Sequence, residues 1–117
     1  MHNFQDLKIW QRAMEIAEET YKLSAEFPNE EKYGLTSQIR RSAISIPSNI
    51  SEGAGRNTNG EFKNFLGIAN GSSNELYTQL LLSHRLNLIQ KEKVDPIIES
   101  LIEVQKMNYS LIKKISK

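Results

Sequence analysis

At 117 residues, 38% hydrophobic, with a net charge of +1 and no cysteine, the chain is long enough for one self-supporting domain, residues 1–117, and excludes a disulfide framework or a thiolate metal site. Its start, "MHNFQDLKIW", lacks a basic region followed by an apolar run, and no stretch approaches the ~20 apolar residues of a membrane span, so a cytoplasmic protein without a signal peptide or membrane contact is expected. Residues 1–35 carry four Lys/Arg against seven Asp/Glu, residues 36–65 four against two and residues 90–117 six against four, an acidic front and mildly basic back that fall short of a strongly basic nucleic-acid-binding domain.

Residues 7–27 hold two apolar rows. Leu7, Trp10, Met14, Ala17, Tyr21 and Ser24 follow a 3-4-3-4-3 spacing, and Ile9, Ala13, Ile16, Thr20, Leu23 and Phe27 lie beside them on a helical wheel. Together they fill about four of every seven positions, where a surface helix needs roughly three. A face this wide predicts contact with more than one neighbour, inside a bundle or across a subunit interface. Asp6 reads as the N-terminal cap or first-turn acid of this helix, and Pro28 as its stop.

"NEEKYG", residues 29–34, reads as a loop or a single helical turn. From Leu35, the row Leu35, Ile39, Ala43, Ile46, Ile50 and Ala54 predicts a second helix. Pro47 lacks a donor and crowds the carbonyl four residues back, which predicts a kink near Ala43 to Ile46. Gly53 and Gly55 are expected to loosen the end of this helix, and "RNTNG" to form a turn.

A third helix is expected from Thr58 or Gly60 to Leu88, with Thr58 and Glu61 as a capping box. The spacing Phe62, Leu66, Ala69, Ser73, Leu76, Leu80 runs without a slip through "ANGSSNE", residues 69–75, which by propensity alone would be a loop. It is read as helix, with small residues that admit a close neighbour. "NLIQKEKVDP" reads as a turn. A fourth helix follows from Val94 or Asp95, with Pro96 in a permitted first-turn position and Ile97, Leu101, Val104, Leu111 and Ile115 as its stripe. Four amphipathic helices with short connections predict an all-α, up-down-up-down four-helix bundle.

Little in the chain points to chemistry. "EGAGR" fails as a phosphate loop, because Thr58 stands where a third glycine is needed and no strand precedes it. His2 and His84 are the only histidines and form no ligand pairing; His2 is read as a disordered terminal residue and His84 as a surface or interface residue. The serines Ser42, Ser45, Ser48, Ser51, Ser72 and Ser73 form no nucleophile elbow. Ser42, Ser45 and Ser48 are read as bonding backbone carbonyls near the proline. Acidic pairs such as Glu18/Glu19 lie on polar faces. No enzyme, metal or cofactor is expected. Arg40, Arg41, Arg56 and Lys63 leave two readings open. Glu52 and Arg56 suit an i,i+4 ion pair, and Arg40 or Arg41 could pair with the acidic first helix. The same residues could instead grip phosphates.

"FQDLKIWQRAMEIAEETY", "FPNEEKYGLTSQIRRSAISIPSNISEGAGR" and "EFKNFLGIANGSSNEL", which together cover about residues 4–90, closely resemble the signature blocks of the four-helix-bundle proteins encoded in intervening sequences of bacterial 23S rRNA genes. The resemblance implies a homopentamer with a central channel and no catalytic activity. It also implies kinship with the accessory proteins of diversity-generating retroelements, which bind nucleic acid and partner a reverse transcriptase. RNA or DNA binding is the function it suggests here. Arg41, Ser45, Pro47, Asn49, Glu52, Gly53 and Arg56 occupy family motif positions in the second helix, and Gly71, Ser72 and Glu75 in the third. The family commonly has a basic residue before that "GS" pair, where this chain has Asn70. The other reading is a scaffold that docks a partner polypeptide, with Glu15, Glu18, Glu19 and Glu26 as its docking face.

Overall fold

The computed structural model describes residues 2–116. Four α-helices carry it: α1 (Lys8–Ser24), α2 (Leu35–Ala54), α3 (Asn59–Arg85) and α4 (Lys91–Ile115), with 3-10 turns at Phe4–Asp6 and Asn29–Glu31 and no strand among the described residues. The stripes read on α2, α3 and α4 face the core, as does the Ile9–Ala13–Ile16–Thr20–Leu23 row of α1, while the second α1 row stays nearer the surface. Residues 69–75 are helical, as their unbroken spacing requires.

The helix ends differ from expectation for local reasons. Asp6 does not cap α1. It belongs to the preceding 3-10 turn, where its carboxylate accepts from Asn3 Nδ2 at 3.1 Å, and Leu7 begins α1 without a side-chain cap. α1 stops at Ser24, before Pro28. The chain tightens through Glu26 N–H to Leu23 O and Phe27 N–H to Ser24 O, which tucks Phe27 into the core at 8% exposure. α2 is helical without a break across the expected kink, with Ala43, Ile46 and Pro47 buried between its neighbours. α3 begins with Thr58 Oγ1 accepting from Glu61 N–H at 3.1 Å; the Thr58 hydroxyl lies 3.2 Å from Glu61 Oε1, so the reciprocal half of the capping box is not made.

α3 ends at Arg85, not Leu88. Asn87 adopts the left-handed conformation at φ 61°, Leu88 N–H bonds Ser83 O and Asn87 N–H bonds His84 O. These paired bonds close the last turn and satisfy two terminal carbonyls. α4 then starts at Lys91, so most of the expected turn is helix and Pro96 lies inside it, beyond the first turn. His2 is also ordered: its N–H donates to Ala54 O at 2.9 Å and its ring lies 4.9 Å from that of Phe62.

α2 packs against α1 and α3, and α4 against α1 and α3, in an antiparallel square. Ile16, Ile39, Ile46, Ile50, Phe62, Leu66, Leu76, Leu80 and Leu101 fill its centre, each fully or almost fully buried. Burying each such side chain stabilises the fold by about 1.5–3 kcal/mol. Two buried polar groups find partners across or within helices: Thr20 donates to Ile16 O and Asn108 Nδ2 donates across the bundle to Leu66 O at 2.9 Å, whereas Gln79 Oε1 is buried without one. The result is a rod 45 Å long and 20–23 Å across.

Candidate functional site

The motif residues divide into two groups. Ser45, Asn49, Gly53 and Ser72 form the seam between α2 and α3. Ser45 Oγ and Ser72 Oγ share a hydrogen bond of 2.7 Å, and Asn49 Nδ2 donates to Ser45 O at 2.8 Å and Oγ at 2.9 Å. Ser45 therefore bonds a partner helix through its hydroxyl, not a carbonyl near the proline. Gly53 tightens the seam where loosening was expected. A Cβ there would lie 2.6 Å from Phe65 Cβ and 3.0 Å from Phe62 Cδ1. Gly71 and Glu75 point the other way, onto the outer face of α3, and a Cβ on Gly71 would meet nothing within 4 Å.

The four basic residues singled out in the sequence do not meet. Arg40 is used structurally. Its Nε donates to Ser24 Oγ at 2.8 Å, its Nη2 donates to Tyr21 O at 3.4 Å, and its guanidinium lies 4.6 Å from the Tyr21 ring centroid. It closes the C-terminal turn of α1, where the helix dipole favours a cation. It reaches the first helix, but through a carbonyl and a hydroxyl in place of a carboxylate. Arg41 is exposed and makes no ion pair among the described residues. Arg56, near the other end of the rod, bonds Glu52 at 3.1 Å, approaches Glu61 at 4.0 Å and covers the Phe65 ring at 4.8 Å. Lys63 is half-buried on that same end. Fourteen residues of helical rise, about 21 Å, separate Arg40 from Ala54 at the end of α2, with Arg56 two residues beyond.

The acidic face is partly spent as well. Glu15 pairs with Arg12, and Glu26 with Lys93, while Glu18 and Glu19 stay exposed.

Closing the bundle buries only one of the two apolar rows on α1. Ile9, Ala13, Ile16, Thr20 and Leu23 go inside, whereas Trp10 and Ala17 are half-buried and Met14 is 36% exposed. This second row forms one wall of a groove of about 390 Å³ between α1 and α2, lined by Phe4, Trp10, Met14, Ala17, Ile44 and Pro47. Ile44 is 44% exposed. On the outer face of α3, Ile68 and Leu82 are 52% and 45% exposed. The sequence reading missed Ile44, Ile68 and Leu82. Each is a large apolar residue off the stripe of its own helix, and that misplacement was the available signal.

Among the described residues no three His, Cys, Asp or Glu side chains are grouped to hold a metal, and no helix is long and apolar enough to cross a membrane. His84 is half-buried, with Nδ1 3.3 Å from Ile89 O. The arrangement offers apolar contact faces and dispersed cations.

The model of the family described as 23S rRNA-intervening sequence protein matches residues 5–110. A crystal structure of a protein of unknown function from the S23 ribosomal protein family of Bacteroides thetaiotaomicron is similar at 31% identity and a TM-score of 0.83, over 90% of this chain and 98% of that one. No curated protein matches.

Proposed function

Because the chain belongs to the 23S rRNA-intervening sequence protein family, we propose that it is a non-enzymatic bundle that self-associates, as a homopentamer, and acts as a nucleic-acid-binding accessory protein for RNA or DNA. The observation that carries this reading is the apolar row Trp10, Met14 and Ala17 left at the surface beside Ile44 and Pro47. Apolar side chains grouped at a surface suit a protein contact. A second copy, presenting an apolar helix face such as Ile68 and Leu82, would cover it. Because groove and ridge lie on different helices, the contact joins unlike faces and closes into a ring when the rotation permits. Copying a chain of net charge +1 five times pools weak cations on one body and raises avidity for a polyanion. A reverse transcriptase is the protein partner that kinship with the retroelement accessory proteins would supply.

Sedimentation at micromolar concentration tests the assembly, with a particle of five chains expected. An electrophoretic shift with structured RNA and duplex DNA at low salt tests the binding. A single-chain particle would remove the pooled charge on which the nucleic-acid reading depends.

A protein-docking scaffold is the second reading, favoured by the exposed Glu18 and Glu19 on α1. Pull-down of one defined partner from nuclease-treated lysate, lost when both are changed to Lys, would support it over the first.

A further inference from the structure

Antiparallel packing builds each half of the rod from residues distant in sequence. One half comprises residues 2–16, 45–72 and 104–116; the other comprises 17–44 and 73–103. The first half carries seven Lys/Arg against four Asp/Glu, the second seven against ten. Along a 45 Å rod the two ends are several Debye lengths of about 8 Å apart, so each presents its own field.

Within the basic half, Arg12 and Arg56 are held by carboxylates. Lys8, Lys63, Lys106, Lys113 and Lys114 make no ion pair among the described residues. All five lie in one half of the rod. Lys8 and Lys106 flank one groove of about 350 Å³ between α1 and α4, with Leu7, Met107 and Leu111 in its wall. Asn59 Nδ2 donates to Ile115 O at 3.3 Å. That bond sets the first turn of α3, just ahead of Lys63, against the last turn of α4, which carries Lys113 and Lys114. The helix dipole favours Lys113 and Lys114 at a C-terminus but disfavours Lys8, the first residue of α1. Local structure therefore gives no reason for a cation at Lys8.

We propose that this lysine-bearing end is where the molecule grips nucleic-acid phosphates; the inference rests on the nucleic-acid reading above. Lysine ammonium groups are point charges without the forked geometry of arginine, so the contact reads backbone charge and not base sequence. The opposite end, with its excess of carboxylates, is repelled by the same polyanion. The rod therefore meets nucleic acid with one end.

Two charge-matched triple variants of the full chain test it by gel shift with a fluorescein-labelled RNA hairpin across a salt series. Lys106→Glu/Lys113→Glu/Lys114→Glu is expected to weaken binding at least ~10-fold at low salt, and to flatten the log–log salt slope by about one unit per lysine. Lys22→Glu/Lys32→Glu/Arg85→Glu, on the acidic half, is expected to keep affinity within about 3-fold. Because glutamates at the end of α4 oppose its dipole, the same lysines changed to Gln provide a version that keeps the helix, checked by circular dichroism. An unchanged shift in both lysine variants, or equal losses at the two ends, overturns the location while nucleic-acid binding stands. Failure of the unsubstituted protein to shift RNA or duplex DNA overturns the binding reading itself, and the location with it.

Discussion

Two glycines of the same motif have opposite surroundings, and substitution should show it. At Gly53 an added methyl meets Phe65 Cβ at 2.6 Å and the Phe62 carbonyl at 3.3 Å. Neither can retreat without moving α3. Gly53→Ala is therefore expected to destabilise by about 1–3 kcal/mol through overpacking, despite the ~1 kcal/mol gain in helix propensity. At Gly71 the methyl meets nothing within 4 Å, so Gly71→Ala should stabilise the single chain by up to about 1 kcal/mol. Urea denaturation of both variants checks the pair of signs. Adjacent arginines divide in the same way. Arg40→Ala removes the donors to Ser24 and Tyr21 and the contact with the Tyr21 ring, at an expected cost of about 1–2 kcal/mol. Arg41→Ala should stay within about 0.5 kcal/mol of the parent. "RR" is one feature in the sequence and two in the fold, because neighbours on a helix point 100° apart.

At the scale of elements, periodicity carried most of what could be read. One of the two α1 rows and the stripes of α2, α3 and α4 face the core, and the polar run 69–75 is helical because Ala69, Ser72, Ser73 and Leu76 must face α2 and α4. What could not be read depends on contacts beyond the local chain. α1 ends early because Phe27 is drawn under the bundle. α4 starts early with Gln90 in the cap position, which makes no side-chain cap bond and so gives no recognisable signal. The candidate site was legible only in pieces. Four basic residues within a short stretch of sequence suggest a patch, yet helical rise spreads Arg40 and Arg56 toward opposite ends. The charge division between the two halves is visible only once α1 is known to lie antiparallel to α4, as the Arg12–Glu103 bond at 2.7 Å and the Lys93–Glu26 pair record. The early start of α4 has a testable effect. Pro96 is exposed, lies beyond the first turn and denies Glu92 O its partner. Pro96→Ala should raise stability by about 1–3 kcal/mol and the thermal midpoint by several degrees, measured by circular dichroism.

For the whole molecule, the decisive property is that a closed four-helix core still leaves apolar surface on two sides. The groove between α1 and α2 contains the only tryptophan of the chain, half-buried, with Phe4 edge-on to it at 5.1 Å. That placement makes Trp10 a reporter of whatever covers the groove. A copy docked on Met14, Trp10 and Ile44 would exclude water from the indole, so its emission should shift to the blue on assembly. Dilution through the dissociation range should return it to the red in step with the fall in mass seen by light scattering. Ile44→Glu places a charge on the floor of the contact, where it would be desolvated without a partner, a cost of several kcal/mol per interface. Ile44 is 44% exposed in the single chain, so its helix should survive the change. The expected variant is a folded single-chain particle with red-shifted Trp10 emission at every concentration. A ring that dissociates with no change at Trp10, or that forms despite Ile44→Glu, would place the subunit contact on another face and leave the groove for a different occupant.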